Sequence, residues 1–218
     1  IVTGSANNQI DLSGVTAGVF TSLASIDVNS GDGDDVIIGT TDVASTLSGG
    51  DGNDSITGGS SAEVILGGDG QDVIDGGDGN DDINAGDGDD SVTAGAGDDT
   101  VTGDDGDDEI FGGAGNDSVL ANNGTDSLFG EAGDDTLNGD GGLDSIDGGD
   151  GNDLVFAGAD DDTVSGGLGD DTLRGQAGND SISGDAGDDL IVGRAGDDTL
   201  DGGDGNDILN GSSGADSV

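Results

Sequence analysis

The sequence predicts an all-β fold in which many short parallel strands stack into a solenoid, and three observations support this prediction. A nine-residue repeat runs without insertion from Gly49, giving 18 full copies up to Asn210 and then an eight-residue partial copy. The eighth position of every copy is Ile, Val or Leu. In most copies, glycines at positions one, two and four lie before and after the segment that contains the apolar residue, where they allow the positive φ angles of tight turns. A fixed period of this kind is typical of repeat architectures.

The strands are predicted at positions seven to nine of the repeat, as in Ser55-Ile56-Thr57. Alternation along an extended chain puts the central apolar residue on one face and its two neighbours on the other. We therefore expect strands of three residues that alternate with glycine-rich turns. Position five is usually Asp or Asn, and we expect it to adopt a left-handed backbone, which these residues tolerate better than most.

The composition by itself favours disorder. The chain has 50 glycines, 50 acidic residues, two basic residues and a formal net charge of −48, and only 2% of its residues are aromatic. Such a chain buries too little apolar surface to offset the entropy of ordering. A bound metal could offset both the charge and the thin core. The regular recurrence of one branched apolar residue favours this folded alternative.

The same composition disfavours several classes of function. Binding of nucleic acid or of an anionic membrane surface requires Lys and Arg, and the chain has only Arg174 and Arg194. No apolar run is long enough for membrane insertion. His, Cys, Lys and Tyr are absent, so the usual nucleophile and base pairs are missing and we expect no enzymatic activity. Because the sequence stops partway through a repeat, we expect it to be a fragment of a longer protein.

The sixth position of the repeat predicts metal binding, because it is Asp in 18 copies and Glu63 in the remaining one. If two repeats form a coil, the carboxylates of every second copy stack about 5 Å apart and repel by about 3 kcal/mol at an effective dielectric of about 20. A cation between them would reverse this effect. Ca²⁺ accepts six to eight oxygens, including backbone carbonyls, whereas Zn²⁺ and copper prefer the absent His and Cys. A three-sided helix, with three repeats in each coil, is left open by the period alone.

The unit G-G-x-G-[N/D]-D-x-U-x, with U apolar, resembles the RTX (repeats-in-toxin) nonapeptide. The resemblance covers Gly49 to Val218, and an isolated copy lies at Ser30 to Ile38. It implies a two-sided parallel β-roll with two nonapeptides in each coil, which binds Ca²⁺ between successive turns through position-six aspartates and turn carbonyls. The predicted ligands are Asp35, Asp54, Asp72, Asp81, Asp90, Asp99, Asp108, Asp117, Asp126, Asp135, Asp144, Asp153, Asp162, Asp171, Asp180, Asp189, Asp198, Asp207 and Asp216.

Two stacked columns of position-six acids, from Asp54 to Asp216, leave 17 gaps, so up to about 17 ions are expected. That number would bring the net charge of −48 to about −14, which is ordinary for a soluble surface. The sites around Glu63 are expected to be weak or empty, since its copy also lacks the position-four glycine.

Residues 1–48 do not follow the period and are predicted to form an irregular β-helical start that caps the roll of residues 49–218. The tail of a neighbouring domain is the alternative. Phe111 and Phe129 are both at position nine, which should point outward. They lie two repeats apart and are expected to stack on one sheet. They could mediate self-association, or they could be isolated exposed residues.

The resemblance implies a secreted bacterial protein that is exported by type I secretion and folds on binding Ca²⁺ outside the cell. The length of the array favours a module of an adhesin, a surface-layer protein or a filament. A roll attached to a secreted enzyme or toxin is an alternative. A surface that binds polysaccharide or ice is another, although position three is never Thr and only four Phe are present.

Overall fold

The structure is a computed structural model that describes residues 4–16 and 25–218. These residues form two parallel sheets of eleven strands each. Odd-numbered strands make up sheet one and even-numbered strands make up sheet two, so the chain crosses from one sheet to the other at every turn. The predicted two-sided parallel β-roll is therefore confirmed.

Sheet one contains β1 (Gln9–Asp11), β3 (Val36–Ile38), β5 (Ser55–Gly59), β7 (Val73–Asp78), β9 (Ser91–Ala96), β11 (Glu109–Ala114), β13 (Ser127–Ala132), β15 (Ser145–Asp150), β17 (Thr163–Leu168), β19 (Ser181–Ala186) and β21 (Thr199–Asp201). Sheet two contains β2 (Ile26–Asp32), β4 (Ser45–Asp51), β6 (Val64–Asp69), β8 (Asp82–Asp87), β10 (Thr100–Asp105), β12 (Ser118–Asn123), β14 (Thr136–Gly141), β16 (Leu154–Ala159), β18 (Thr172–Ala177), β20 (Leu190–Ala195) and β22 (Ile208–Ser213).

The register of the sheets advances by two nonapeptides per coil through most of the roll. Ile110 of β11, for example, pairs with Val92 on one side and Leu128 on the other. The first coils are longer, because Ile10 pairs with Ile37 and Ile37 pairs with Ile56. Two nonapeptides per coil are what the predicted two-sided roll requires, and they exclude the three-sided alternative.

The strands are six residues long in most coils, not three as expected. β7, for example, covers positions seven to nine of one repeat and positions one to three of the next. Position two stays in the ladder, as the pairing of Gly77 with Gly95 shows, whereas position one, Gly76 in this strand, is skipped in the register. The turn is thereby confined to positions four to six.

The core is formed by one column of position-eight side chains from each sheet. All of them are buried from Ile10 to Leu200, as in the fully buried Ile37, Leu137 and Ile191. Position one also faces inward, and the four alanines found there, Ala85, Ala94, Ala121 and Ala157, are completely buried. On the last coil the position-eight residues are less covered, and Val218 is 73% exposed. A core this thin leaves little apolar burial per residue to stabilise the fold.

Position two of the repeat has a left-handed backbone in nearly every copy. Glycine occupies it in many copies, and where it does not, the residue still has positive φ, as in Asp104 (φ 78°), Asn122 (φ 81°) and Arg194 (φ 84°). Position four is left-handed in most copies as well, including Asp160, which replaces its glycine with φ 80°. The expectation for position five was wrong, because no position-five residue in the described part of the chain has positive φ.

The strands before Gly49 lie in the same two sheets as the nonapeptides. β2 pairs with β4, and β4 pairs with β6 in the regular register. The division of the chain into a cap over residues 1–48 and a roll over residues 49–218 stays a prediction, and residues 1–3 and 17–24 of that cap lie outside the described residues. No helix long and apolar enough to cross a membrane occurs in the described part of the chain.

The Leu137→Ala substitution should destabilise the roll by about 2–5 kcal/mol, because Leu137 is fully buried in a one-residue core that cannot close the cavity. Chemical denaturation followed by circular dichroism, in saturating Ca²⁺, measures the loss. Asn138→Ala, one residue along on the outward face, is the matched control and should change stability by less than about 0.5 kcal/mol. Equal losses for the two variants would contradict the inward assignment of position eight.

Candidate metal centre

The position-six carboxylates lie in two rows, one at each edge of the roll, where the turns carry the chain between sheets. Every one of them from Asp35 to Asp198 is only 1–3% exposed. Asp207 and Asp216, on the last coil, are half-buried. One row contains Asp35, Asp54, Asp72, Asp90, Asp108, Asp126, Asp144, Asp162, Asp180, Asp198 and Asp216. The other contains Glu63, Asp81, Asp99, Asp117, Asp135, Asp153, Asp171, Asp189 and Asp207.

One oxygen of each aspartate in the rows is held by the backbone of the preceding coil. The amide of Asp90 donates a hydrogen bond of 2.9 Å to Oδ1 of Asp108, and the amide of Asp108 donates one of 2.8 Å to Oδ1 of Asp126. The same bond recurs along both rows with donor–acceptor distances of 2.6 to 3.1 Å. These bonds fix the orientation of every carboxylate relative to its neighbours.

The other oxygen of each carboxylate has no hydrogen-bond partner. Oδ2 is buried and unpaired at every position-six aspartate from Asp35 to Asp198 in the described chain, and both carboxylate oxygens of Glu63 are in the same state. A buried polar atom without a partner is costly, and a buried charged one more so. A continuous row of such atoms indicates that a group outside the chain's own donors normally satisfies them.

Backbone carbonyl oxygens lie close to the unpaired Oδ2 atoms. A Cβ added to Gly112 would lie 2.7 Å from Oδ2 of Asp117 and 3.0 Å from the carbonyl oxygen of Gly130 in the next coil. The carboxylate thus packs against the position-one backbone and beside a carbonyl, which explains why position one is always Gly or Ala. No group of three or more acidic side chains close enough to hold a metal is found among residues 4–16 and 25–218. A cation here would bind one or two carboxylates and complete its shell with backbone carbonyls, as Ca²⁺ does.

The burial of the rows raises the pKa of their carboxyl groups. Desolvation, reinforced by the neighbouring Asp126, raises the pKa of Asp108 to about 7, although the hydrogen bond from Asp90 opposes the shift. The pKa of Asp135 and of Asp162 is raised to about 7 for the same reasons, and that of Asp117 to about 6. Charged carboxylates are therefore unfavourable in the rows unless a cation neutralises them.

Glu63, the first acid of its row, differs from the aspartates because neither of its carboxylate oxygens accepts a hydrogen bond. Desolvation, followed by the charge of Asp81, raises its pKa to about 7, and the nearby amides of Gly59 and Ser61 oppose the shift without meeting hydrogen-bond geometry to its oxygens. One coil earlier the equivalent position is Ser45, whose hydroxyl donates to the Val43 carbonyl. In this turn a buried Val43 and a hydrogen bond between uncharged groups stand where later coils have a carboxylate.

The other row also ends on an uncharged residue. Asn8 takes position six of the first coil, and both its backbone amide and its side-chain amide donate to Oδ1 of Asp35, at 2.6 and 3.0 Å. Sequence analysis did not identify Asn8 or Ser45 as part of the site. Asn8 could have been found, because it lies two residues before an apolar residue in the same way as every position-six aspartate.

Position-five side chains form a second ladder on the outside of the turns. Oδ1 of Asp89 accepts a hydrogen bond of 3.1 Å from the amide of Asp107, and Oδ1 of Asp107 accepts one of 2.7 Å from Thr125. This ladder runs in the opposite direction to that of position six, and its carboxylates are exposed. Position five therefore supports the turn backbone and is not part of the buried rows.

Phe111 and Phe129 pair in register on sheet one, and their rings stack with centroids 4.8 Å apart and planes 9° apart. The expected stacking is thus present, but both side chains are half-buried and not fully exposed. Self-association through them stays a prediction.

Comparison with known proteins gives one family. The model of the RTX calcium-binding nonapeptide repeat, which represents four copies of the unit, matches residues 29–62, 41–74, 57–92, 84–119, 120–155, 156–191 and 183–218. No curated protein matches the chain.

Without Ca²⁺, the roll should become more stable as the pH falls from about 7 to about 4. The carboxyl pKa of Asp108 is about 7 in the folded state and has the ordinary aspartate value of 3.8 in the unfolded state, so the folded state binds more protons in this window. Circular dichroism in chelator, at protein concentrations where the chain stays monomeric, should show more β-structure at pH 4.5 than at pH 7.5.

In saturating Ca²⁺ the stability of the roll should instead fall as the pH falls, because protons then compete with the cation for the carboxylates. In a Ca²⁺ titration, the Ca²⁺ concentration at the folding midpoint should rise below about pH 6. A β signal in chelator that is independent of pH would contradict the burial of charge in the rows.

Proposed function

Since the chain belongs to the RTX calcium-binding nonapeptide repeat family, we propose that it is a structural roll which folds when Ca²⁺ binds along its two edges. The ligands in this proposal are the position-six aspartates, with the carbonyls of the turns. The single observation that supports it best is the uninterrupted row of buried Oδ2 atoms that have no partner within the described chain. Ca²⁺ would supply the positive charge that the fold lacks.

The proposed occupancy follows from the gaps between coils. The stacked acids from Asp54 onward leave 17 gaps, and Asp35, which stacks on Asp54 in the same row, adds one further gap. Cations in most of these gaps would remove the greater part of the net charge of −48. Occupancy should be strongest in the middle of the roll and weaker at Glu63, which lacks the hydrogen bond that orients the aspartates, and at the half-buried Asp207 and Asp216.

The proposed role of residues 1–48 is that of a cap. Asn8 and Ser45 end the two carboxylate rows with uncharged side chains, Asn8 by donating to the Asp35 carboxylate and Ser45 by donating to a carbonyl, so the first turns would add no further carboxylate. Such coils would cover the edge of the first Ca²⁺-dependent coil and block strand addition there.

RTX repeat proteins are typically secreted by bacteria, and we infer the same for this chain. Carboxylate repulsion would keep it unfolded where Ca²⁺ is scarce, and binding to the folded state alone would drive folding by mass action where Ca²⁺ is abundant. The roll is a structural fold without evident catalytic groups. Its length favours a stalk-like module of an adhesin, a surface-layer protein or a filament.

A Ca²⁺ titration followed by far-ultraviolet circular dichroism should show a cooperative transition from coil to β-structure that chelator reverses. Mg²⁺ is the control and should produce little change, because it keeps its own water and requires strict octahedral geometry. A β signal of equal size at neutral pH in chelator would mean that packing alone holds the roll.

Asp108→Asn should raise the Ca²⁺ concentration needed for folding and reduce the number of bound ions, because it removes one charge from the middle of a buried row. Isothermal calorimetry and flame photometry of the dialysed protein measure these changes. Asp107→Asn is the matched control: it lies next in sequence, it is exposed, and the amide oxygen can still accept the Thr125 hydrogen bond. Equal effects of the two substitutions would contradict the assignment of position six as the ligand.

A further inference from the structure

The outer faces of the two sheets differ in charge. In each strand, the outward residues are those at positions seven and nine of one repeat and at positions two and three of the next. On sheet two, six consecutive strands from β12 to β22 carry a single acidic residue at these positions, Asp140. The same strands carry both basic residues of the chain, Arg174 and Arg194. We call this surface the acid-poor face.

The acid-poor face is also apolar. Leu154, Phe156, Leu190, Val192 and Ile208 point outward from it, and Leu190 and Ile208 are 38% and 65% exposed. The guanidinium of Arg174 lies 5.0 Å from the centre of the Phe156 ring, within the range of a cation–π contact. A large exposed apolar area with a polar rim is typical of an interaction surface.

Other surfaces of the roll do not share this character. The earlier strands of sheet two, β4 to β10, carry six acidic residues at outward positions. On sheet one, Glu109 and Glu131 flank the stacked Phe111 and Phe129 in neighbouring positions of the same strands. The acidic side chains that remain on these surfaces repel those of a second copy, so the acid-poor face opposes close approach of two copies the least.

We propose that the acid-poor face binds the same face of a second copy of this chain, with the two rolls antiparallel.

The twofold axis of this dimer lies in the interface, parallel to the strands and between β16 and β18. It keeps each column of the repeat opposite itself and exchanges β16 with β18 and β14 with β20. Arg194 and Asp140, which are both at position two, then face each other across the interface, twice per dimer. Arg174 likewise faces Phe156 at position nine, so the face is complementary to itself in charge.

The expected dimer is weak. Six strands about 4.8 Å apart and about six residues long give a face on the order of 500 Å². A stable standard interface buries about 800 Å² per partner. Association should therefore be concentration-dependent, and it should weaken in high salt as the Arg194–Asp140 pairs are screened.

Sedimentation equilibrium in saturating Ca²⁺ and low salt tests the proposal on the full chain. The weight-average mass should rise from 20.7 kDa toward twice that value as the protein concentration increases. Arg194→Asp and Asp140→Arg should each weaken the dimer by about tenfold or more, because like charges then meet across the interface. The double variant with both substitutions should restore it. Asp185→Arg is the matched control, since it makes the same charge change at a left-handed position two on sheet one, and it should dimerise like the wild type.

Circular dichroism of each variant in Ca²⁺ separates loss of the dimer from loss of the roll. If Arg194→Asp does not fold, Arg194→Gly replaces it, because glycine suits φ 84° and removes the charge. A wild-type chain that folds with Ca²⁺ but stays at 20.7 kDa at every concentration would overturn the dimer and leave the Ca²⁺-dependent roll intact. A double variant that folds but fails to regain the dimer would overturn it as well.

Discussion

The buried carboxylate with one oxygen satisfied and the other unpaired is the constraint on which the rest of this structure depends. Its Oδ1 accepts an amide from the preceding coil, so the same group that carries the charge also joins successive coils. Its Oδ2 is left with no donor in the described chain, and each further coil adds another charge of the same sign. The fold therefore combines strong geometric order with strong electrostatic opposition. An external cation would satisfy the free oxygen and remove the opposition.

The rest of the repeat fits around this group. Position one is kept to Gly or Ala because the carboxylate and the next coil's carbonyl occupy the space that a larger side chain would need. Position two is left-handed even where the residue is Arg194 or Glu131. The apolar column is one side chain thick, so it sets the direction of each strand without contributing the burial of an ordinary core. Stability in such an array comes from contacts between neighbouring coils.

The regular pattern also makes its exceptions informative. Where Asn8 and Ser45 replace the aspartate, the row gains no further charge: Asn8 donates to the Asp35 carboxylate, and Ser45 donates to the Val43 carbonyl. Where acidic residues disappear from the outer face of sheet two, apolar residues and both arginines take their place. The first exception lies in the first coils of the roll. The second lies on the face that, in our proposal, binds a second molecule.

The sequence by itself determined the period, the inward position eight and the rows of position-six acids, because strict repetition stacks Ile56, Ile74 and their equivalents on one another. It also indicated the metal, because carboxylates and carbonyls without His or Cys suit Ca²⁺ best. Only the tertiary structure decided how long the strands are, that position two and not position five is left-handed, and which carboxylate oxygen is free. These features depend on hydrogen bonds to the coils above and below, as between Asp90 and Asp108. A repeat fixes which residues meet, whereas the packed neighbour fixes how their backbones and oxygens are oriented.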